Sequence, residues 1–295
     1  MNDEQKKMLS LLQNMDEGEG VRSCDIVRAP FGWHGGKSKS LKHILQHLPY
    51  RKTYCEVFGG SGAVLLARQT SPLEVFNDRY AGVTCFYRCI RDLDKTRALV
   101  ARLDLTCHSR EEFEWCKGSW EECGDEVERA ARWYYMVQNS FTKQGRNWAR
   151  STRSLGTIGR SFKNNLDSFG QVHERMKNVQ VDNMDWRQCM KDYDSPYTVF
   201  YLDPPYLGVN HGAYKHDMLY KDHVDLLERI QQTEGFVAIS GYGNELYDSY
   251  KWDHKYEWEA FVASTGMAQT QSNGQIGIDQ VRGRATECLW IKEAC

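Results

Sequence analysis

At 295 residues the chain is long enough for one large α/β domain carrying a smaller insertion, with a sizeable buried core. Its 41% hydrophobic content, formal net charge of −2 and lack of any apolar run near eighteen residues exclude a membrane-spanning chain and indicate a soluble globular one. The opening MNDEQKKMLSLLQNMDEGEG has no basic-then-apolar leader order, so a cytoplasmic location is expected.

Residues 1–27 read as a polar extension, a short helix followed by an acidic, glycine-containing linker. Next comes FGWHGGKS at 31–38, which invites comparison with the phosphate cradle G-x-x-x-x-G-K-[ST]. Gly32 and Gly36 enclose three residues where that cradle needs four, and CDIVRAP ahead of them is too polar, and too interrupted by Pro30, for a buried strand. A P-loop ATPase therefore stays only as a minor alternative.

Short β-rich runs then alternate with helical patterns. TYCEVF, LEVF, VQV, TVFYLD, FVAIS, YEWEAFVA and ATECLWI read as strands. Leu166, Phe169, Val172 and Met176 fall at helical spacing. So do Val224, Leu227 and Ile230, in a segment capped by Asp222 and closed by Gly235. Such alternation implies a mostly parallel sheet with ligands at the carboxyl ends of its strands; the last two strands, with no helix between them, are expected to pair antiparallel. From about Val83 to Lys163 helical segments and an arginine- and glycine-rich loop replace the strands, which marks an inserted unit.

Three stretches at strand ends carry chemistry. EVFGGSGAV, Glu56 to Val64, leads a strand through Phe58, Gly59, Gly60 and Gly62, where backbone can approach a ligand closely. Asp78 follows the next strand, where a carboxylate grips ribose hydroxyls or caps the following helix. Asp203, Pro204, Pro205 and Tyr206 form DPPY: the prolines fix φ and donate nothing, leaving carboxylate and carbonyl acceptors beside a flat ring. That arrangement suits a planar base with an exocyclic amine.

Charge is segregated along the chain. No acid occurs from Ile26 to Cys55, where Arg28, Lys37, Lys39, Lys42, Arg51 and Lys52 lie, nor from Asn139 to Leu166. The second stretch holds Lys143, Arg146, Asn147, Arg150, Arg153, Arg160 and Lys163, a mixture suited to phosphates and base edges. Trp133, Tyr134, Met136 and Val137 just before it are expected in the core. The acids from Glu111 to Glu128 read as a solvated helical face. The ten cysteines include no C-x-x-C, and Cys107, Cys116 and Cys123 are too widely spaced for a zinc knuckle, so free, mostly buried thiols and no metal are expected.

The ordered set W-x-G-G-K, E-x-F-x-G-x-G, ND, a long insert and DPPY resembles the Dam-type (D12 class) DNA adenine-N6 methyltransferases from about Ala29 to Lys292. VAISGYGNELYDSYKW, and SNG before ATECLWIK, agree with that family's later strands and last loop. The resemblance implies a Rossmann-like methyltransferase sheet using S-adenosyl-L-methionine, built from 28–82 and 164–295, with 83–163 a mainly helical target-recognition domain. It implies that Trp33, Gly35, Gly36, Lys37, Glu56, Phe58, Gly59, Gly60, Gly62, Asp78, Asp185 and Asp203 bind the cofactor. It further implies double-stranded DNA as partner, a monomer or weak dimer on it, and a flipped-out adenine stacked on Tyr206, with Tyr214 a second candidate face. An N4-cytosine or RNA methyltransferase would share the cofactor site, although serine usually opens the four-residue motif in the cytosine enzymes.

Overall fold

The computed structural model describes residues 27–150, 162–207, 217–260 and 285–295. The N-terminal extension, Arg153, Arg160, Tyr214 with most of its loop, and the SNG stretch lie outside them.

Seven strands form one sheet: β1 (Thr53–Glu56), β2 (Leu73–Asn77), β3 (Gln180–Asp182), β4 (Thr198–Leu202), β5 (Phe236–Tyr242), β6 (His254–Ala260) and β7 (Ala285–Lys292). Their spatial order is β3-β2-β1-β4-β5-β7-β6. β1 to β5 pair in parallel, and β7 runs antiparallel between β5 and β6. All seven expected strands are present, and the last two pair antiparallel as anticipated. Chain order reverses between β1 and β4, which opens a crevice beyond their carboxyl ends.

The strands are apolar on both faces because both faces are covered. Val199 and Tyr201 of β4 join one core cluster, while Phe200 and Leu202 join the other. Phe236 and Ala238 of β5 likewise face away from Val237 and Ile239. Ten α-helices accompany the sheet among the described residues: α1 (Leu41–Leu45), α2 (Ala63–Ala67), α3 (Ala81–Arg91), α4 (Leu93–Asp104), α5 (Arg110–Ser119), α6 (Glu126–Gln138), α7 (Phe169–Met176), α8 (Trp186–Asp192), α9 (Tyr220–Gln232) and α10 (Glu245–Asp248). The helix α9 begins two residues before Asp222. Its carboxylate therefore lies inside the first turn, where it accepts the Leu219 amide at 3.0 Å and pairs with Arg187 at 2.9 Å.

Helices α3 to α6 belong to the core cluster that also holds Phe31 and Phe169. Phe86 stacks on Tyr134 at 5.3 Å and meets Phe169 edge-on at 5.4 Å, while Phe31 meets Trp133 edge-on at 5.3 Å. Trp133, Tyr134, Met136 and Val137 are all buried, as expected. The boundary drawn at residue 83 falls within α3, so the inserted helices grow out of the crossover that follows β2. The acids of this region are not merely solvated: Glu126 pairs with Lys95 and Arg88, and Glu128 with Arg102 and Arg132. Of the nine cysteines described, none forms a disulfide and six are buried.

Gly82 in the first turn of α3 lies against the Trp133 ring, and a Cβ there would overlap the indole. Gly82→Ala is expected to destabilise the fold by ~1–3 kcal/mol through overpacking, outweighing the helix propensity of alanine. Urea denaturation checks this, and an unchanged midpoint would mean the α3–α6 contact is loose.

Candidate active site

β1 delivers Glu56, Val57 and Phe58 to the crevice and then turns sharply through glycines. Gly59 donates to the Asn77 carbonyl at 2.8 Å and has no room for a Cβ beside the Phe76 ring. Gly60 takes φ +50°, with the Trp33 indole so close that a side chain would clash. These contacts press the loop between β2 and the Trp33 ring, a conformation that only glycine adopts cheaply.

Asp78, just beyond β2, braces the same loop. Its Oδ2 accepts the Gly60 amide at 2.7 Å and its Oδ1 the Tyr80 amide at 2.7 Å. Burial pushes its pKa up to about 6, against the opposing pull of those two amides. Each oxygen keeps a second lone pair for a ligand hydroxyl.

Between this loop and the end of β4 lies a cavity of about 430 Å³. Trp33, Gly35, Gly36, Lys37, Glu56, Phe58, Gly59, Gly60, Asp78 and Asp203 line it, as does Pro205. Gly62 does not; with φ +65° it precedes α2. Asp185 is also absent from the wall, since its carboxylate caps α8 through the Arg187 amide at 3.0 Å and faces Arg79 at 3.3 Å. Its neighbours Met184 and Trp186 reach the cavity instead. Neither of these stood out in the sequence; Asn77, the first residue of the ND pair, ties the Val57 and Met184 carbonyls together.

The Asp203 side chain is 18% exposed and both of its oxygens are held. Oδ1 accepts the Ser240 hydroxyl at 2.9 Å, and Oδ2 accepts Lys37 Nζ at 2.6 Å. Lys37, expected against a cofactor, lines the cavity but turns its ammonium onto Asp203 and the Gly35 carbonyl at 2.8 Å. The reason is physical: a lysine only 5% exposed needs a compensating charge, and Asp203 supplies it. Glu287 of β7 stands 3.6 Å from the same ammonium and accepts the Tyr206 hydroxyl at 2.9 Å. Burial raises the Asp203 pKa, Lys37 opposes that rise, and Glu287 adds to it. Ser240 and Glu287 were not singled out from the sequence. The one signal for Glu287 was an acid adjoining the apolar run Cys288–Ile291.

Of the expected DNA contacts, Arg146, Asn147 and Arg150 are exposed, and Arg146 also borders the cavity. Lys143 turns inward, with its ammonium donating to the Gln138 carbonyl and its stem over Gly32. These residues follow α6 on a narrow loop closed by the Phe141 amide to the Asn147 carbonyl at 2.7 Å and a bridge between Ser140 and Trp148. Thr142 and Lys143 sit at φ +57° and +59°, which is costly for side-chain-bearing residues and worst for a β-branched one.

Comparison with protein families matches residues 33–263 to the D12 class N6 adenine-specific DNA methyltransferases. The chain belongs to this family. A comparison with curated proteins found no match. The protein is thus an adenine-specific DNA methyltransferase, which removes the P-loop ATPase alternative. Its mixed seven-stranded sheet fits the fold of S-adenosylmethionine-dependent methyltransferases. No helix among the described residues is long and apolar enough to cross a membrane.

Glu56, 2% exposed on the cavity wall, gives the methyltransferase a distinctive pH response. Burial raises its pKa to about 8, although Tyr54 donates to it at 2.9 Å. The folded protein therefore keeps a proton there that the unfolded chain releases above about pH 4.5, and this contribution to stability declines from that pH and is lost through pH 8. Glu56→Gln is expected to flatten the fall of Tm between about pH 4.5 and 8; equal slopes for the two proteins would assign the titration elsewhere.

Proposed function

We propose that this methyltransferase transfers the methyl group of S-adenosyl-L-methionine to the N6 amine of an adenine flipped out of a short target sequence in double-stranded DNA. The observation that carries this reading is the Asp203–Tyr206 turn, whose carboxylate is fixed by two donors at the mouth of a cavity shared with the glycine loop and Asp78.

The cavity suits that cofactor in its chemistry. Asp78 has lone pairs for ribose hydroxyls, Gly59 and Gly60 allow close backbone approach, and Trp33 and Phe58 offer apolar walls to a nucleoside. When bound, the cofactor supplies a sulfonium methyl donor that needs no further activation.

The chain's own task is to align and rehybridise the amine. Adenine N6 is a poor nucleophile because its lone pair is delocalised into the ring. Hydrogen bonds from N6 to the Asp203 carboxylate and the Pro204 carbonyl favour the tetrahedral amine and stabilise its developing positive charge. Lys37 and Ser240 hold the carboxylate beforehand, so it does not reorganise during the step. Its raised pKa also makes Asp203 a better acceptor for the proton that the methylated amine gives up. Flipping costs roughly a few kcal/mol in lost stacking and pairing, which the Tyr206 ring offsets by stacking on the extruded base.

Target recognition falls to residues 83–163, with Arg146, Asn147 and Arg150 meeting phosphates and base edges on the DNA side of the cleft. The remaining residues of 28–295 form the catalytic domain. A cytoplasmic protein that acts as a monomer or weak dimer on DNA fits this reading.

Asp203→Ala is expected to lower methyl transfer by on the order of a thousandfold or more while DNA affinity stays near wild type, because a preorganised acceptor is lost. Single-molecule sequencing of DNA from a methylase-free host expressing each protein reads out both base and context; abundant N6-methyladenine from the variant would sink the role of Asp203. Arg146→Ala and Arg150→Ala should weaken DNA binding and reduce the slope of log K against log salt by about one each. Titrations at several salt concentrations check this, and unchanged slopes would move the phosphate surface elsewhere.

A further inference from the structure

Glu287 lies on β7, in register with Tyr242 of β5 on one side and Trp258 of β6 on the other. It is only 5% exposed, and a carboxylate so buried is expensive unless its oxygens are engaged. One of its oxygens leads directly to the transfer site. Oε1 accepts the Tyr206 hydroxyl at 2.9 Å and stands 3.6 Å from Lys37 Nζ, which in turn holds Asp203. Oε2 accepts the Ser40 hydroxyl at 2.7 Å, and Ser40 also receives the Trp258 indole N–H at 3.4 Å. The Tyr206 ring itself packs edge-on against Tyr242 at 4.7 Å, with the Lys37 ammonium 4.9 Å from its centre.

We propose that Glu287 is a positioning residue for methyl transfer: it clamps the Tyr206 ring by its hydroxyl and shares Lys37 with Asp203, thereby setting the face on which the adenine stacks. The inference rests on the reading of Tyr206 as that stacking face. Two features separate this role from simple core packing. A purely structural site between β5 and β6 would be filled by an apolar residue, as Cys288 and Leu289 fill the next two positions. Moreover, the carboxylate bridges three separate chain regions, the turn after Gly36, the motif after β4, and β7. The shared ammonium also matters. Two carboxylates divide one positive charge, which leaves the cluster with the negative balance that an amine gaining positive charge requires.

The test compares wild type with Glu287→Gln, Tyr206→Phe and the double variant, on a duplex containing the methylated site found by sequencing. Glutamine keeps the shape but loses the charge and leaves one acceptor oxygen for two hydroxyl donors, Tyr206 and Ser40; phenylalanine removes the Tyr206 hydrogen bond from the other end without touching Glu287. Each single variant is expected to lower kcat about tenfold, with little change in the KM for S-adenosylmethionine, and the double variant is expected to lose little more, because residues acting as one unit are non-additive. A duplex with 2-aminopurine at the target position should fluoresce about twofold more strongly with either single variant than with wild type, since a released ring quenches the extruded base less. Calorimetric binding of S-adenosylmethionine and the urea midpoint of Glu287→Gln should stay near wild type. Losses of kcat that multiply in the double variant, or a Glu287→Gln protein with wild-type kcat and wild-type 2-aminopurine signal, would overturn the inference. If Glu287→Gln folds poorly, Tyr206→Phe with a wild-type kcat overturns it equally. Wild-type protein that forms no N6-methyladenine would defeat the functional reading itself, a different outcome from an active wild type that matches its Glu287→Gln variant.

Discussion

The buried ion pair between Lys37 and Asp203 is the constraint on which the site depends. Neither charge is affordable alone inside the crevice, and the two groups come from positions 166 residues apart. Lys37 reaches Asp203 from the Phe31–Ser40 segment, which is docked on helices α3 and α6. Phe31 provides that docking through its edge-on contacts with Phe86 and Trp133, so the aromatic core and the charge pair are parts of one arrangement.

The glycine loop after β1 is made by the same kind of mutual support. Gly59 lies against Phe76, Gly60 against Trp33, and Asp78 fastens the loop by the Gly60 amide. Trp33 belongs to the turn that presents Lys37. A single short segment before the sheet thus shapes both halves of the cavity, the glycine-lined side and the Asp203 side. The reversal of strand order between β1 and β4 brings these two halves face to face.

Much of this was legible in the residues. Short β-rich apolar runs marked all seven strands, and the positions of Gly59, Gly60, Asp78 and Asp203 at strand ends pointed to the crevice. Other features were not legible, for definite reasons. Lys37 was read by its neighbours in the chain, whereas its charge partner is remote. Asp185 sits where an acid near a nucleoside is common, yet the start of α8 needed a cap and the carboxylate turned to it. Ser240, Asn77 and Glu287 are polar residues in strands, and nothing in a linear pattern says which neighbour they will face. Lys143 was read as a phosphate contact from its basic neighbours, whereas its stem lies over Gly32 and its ammonium meets the Gln138 carbonyl, partners that no linear pattern names.

Residue order alone therefore determined the sheet class, the sites where strands end in functional groups, and the family to which those groups belong, because strand periodicity, glycine loops and proline turns are local properties. Tertiary structure alone decided which charges meet. Pairing of Lys37 with Asp203, and the bridge of Glu287 to Tyr206 and Ser40, arise because β7 inserts between β5 and β6 while the N-terminal turn packs on the glycine loop after β1. A buried charge takes whatever partner the packing brings within about 3 Å, and that distance is set by topology, not by spacing along the chain.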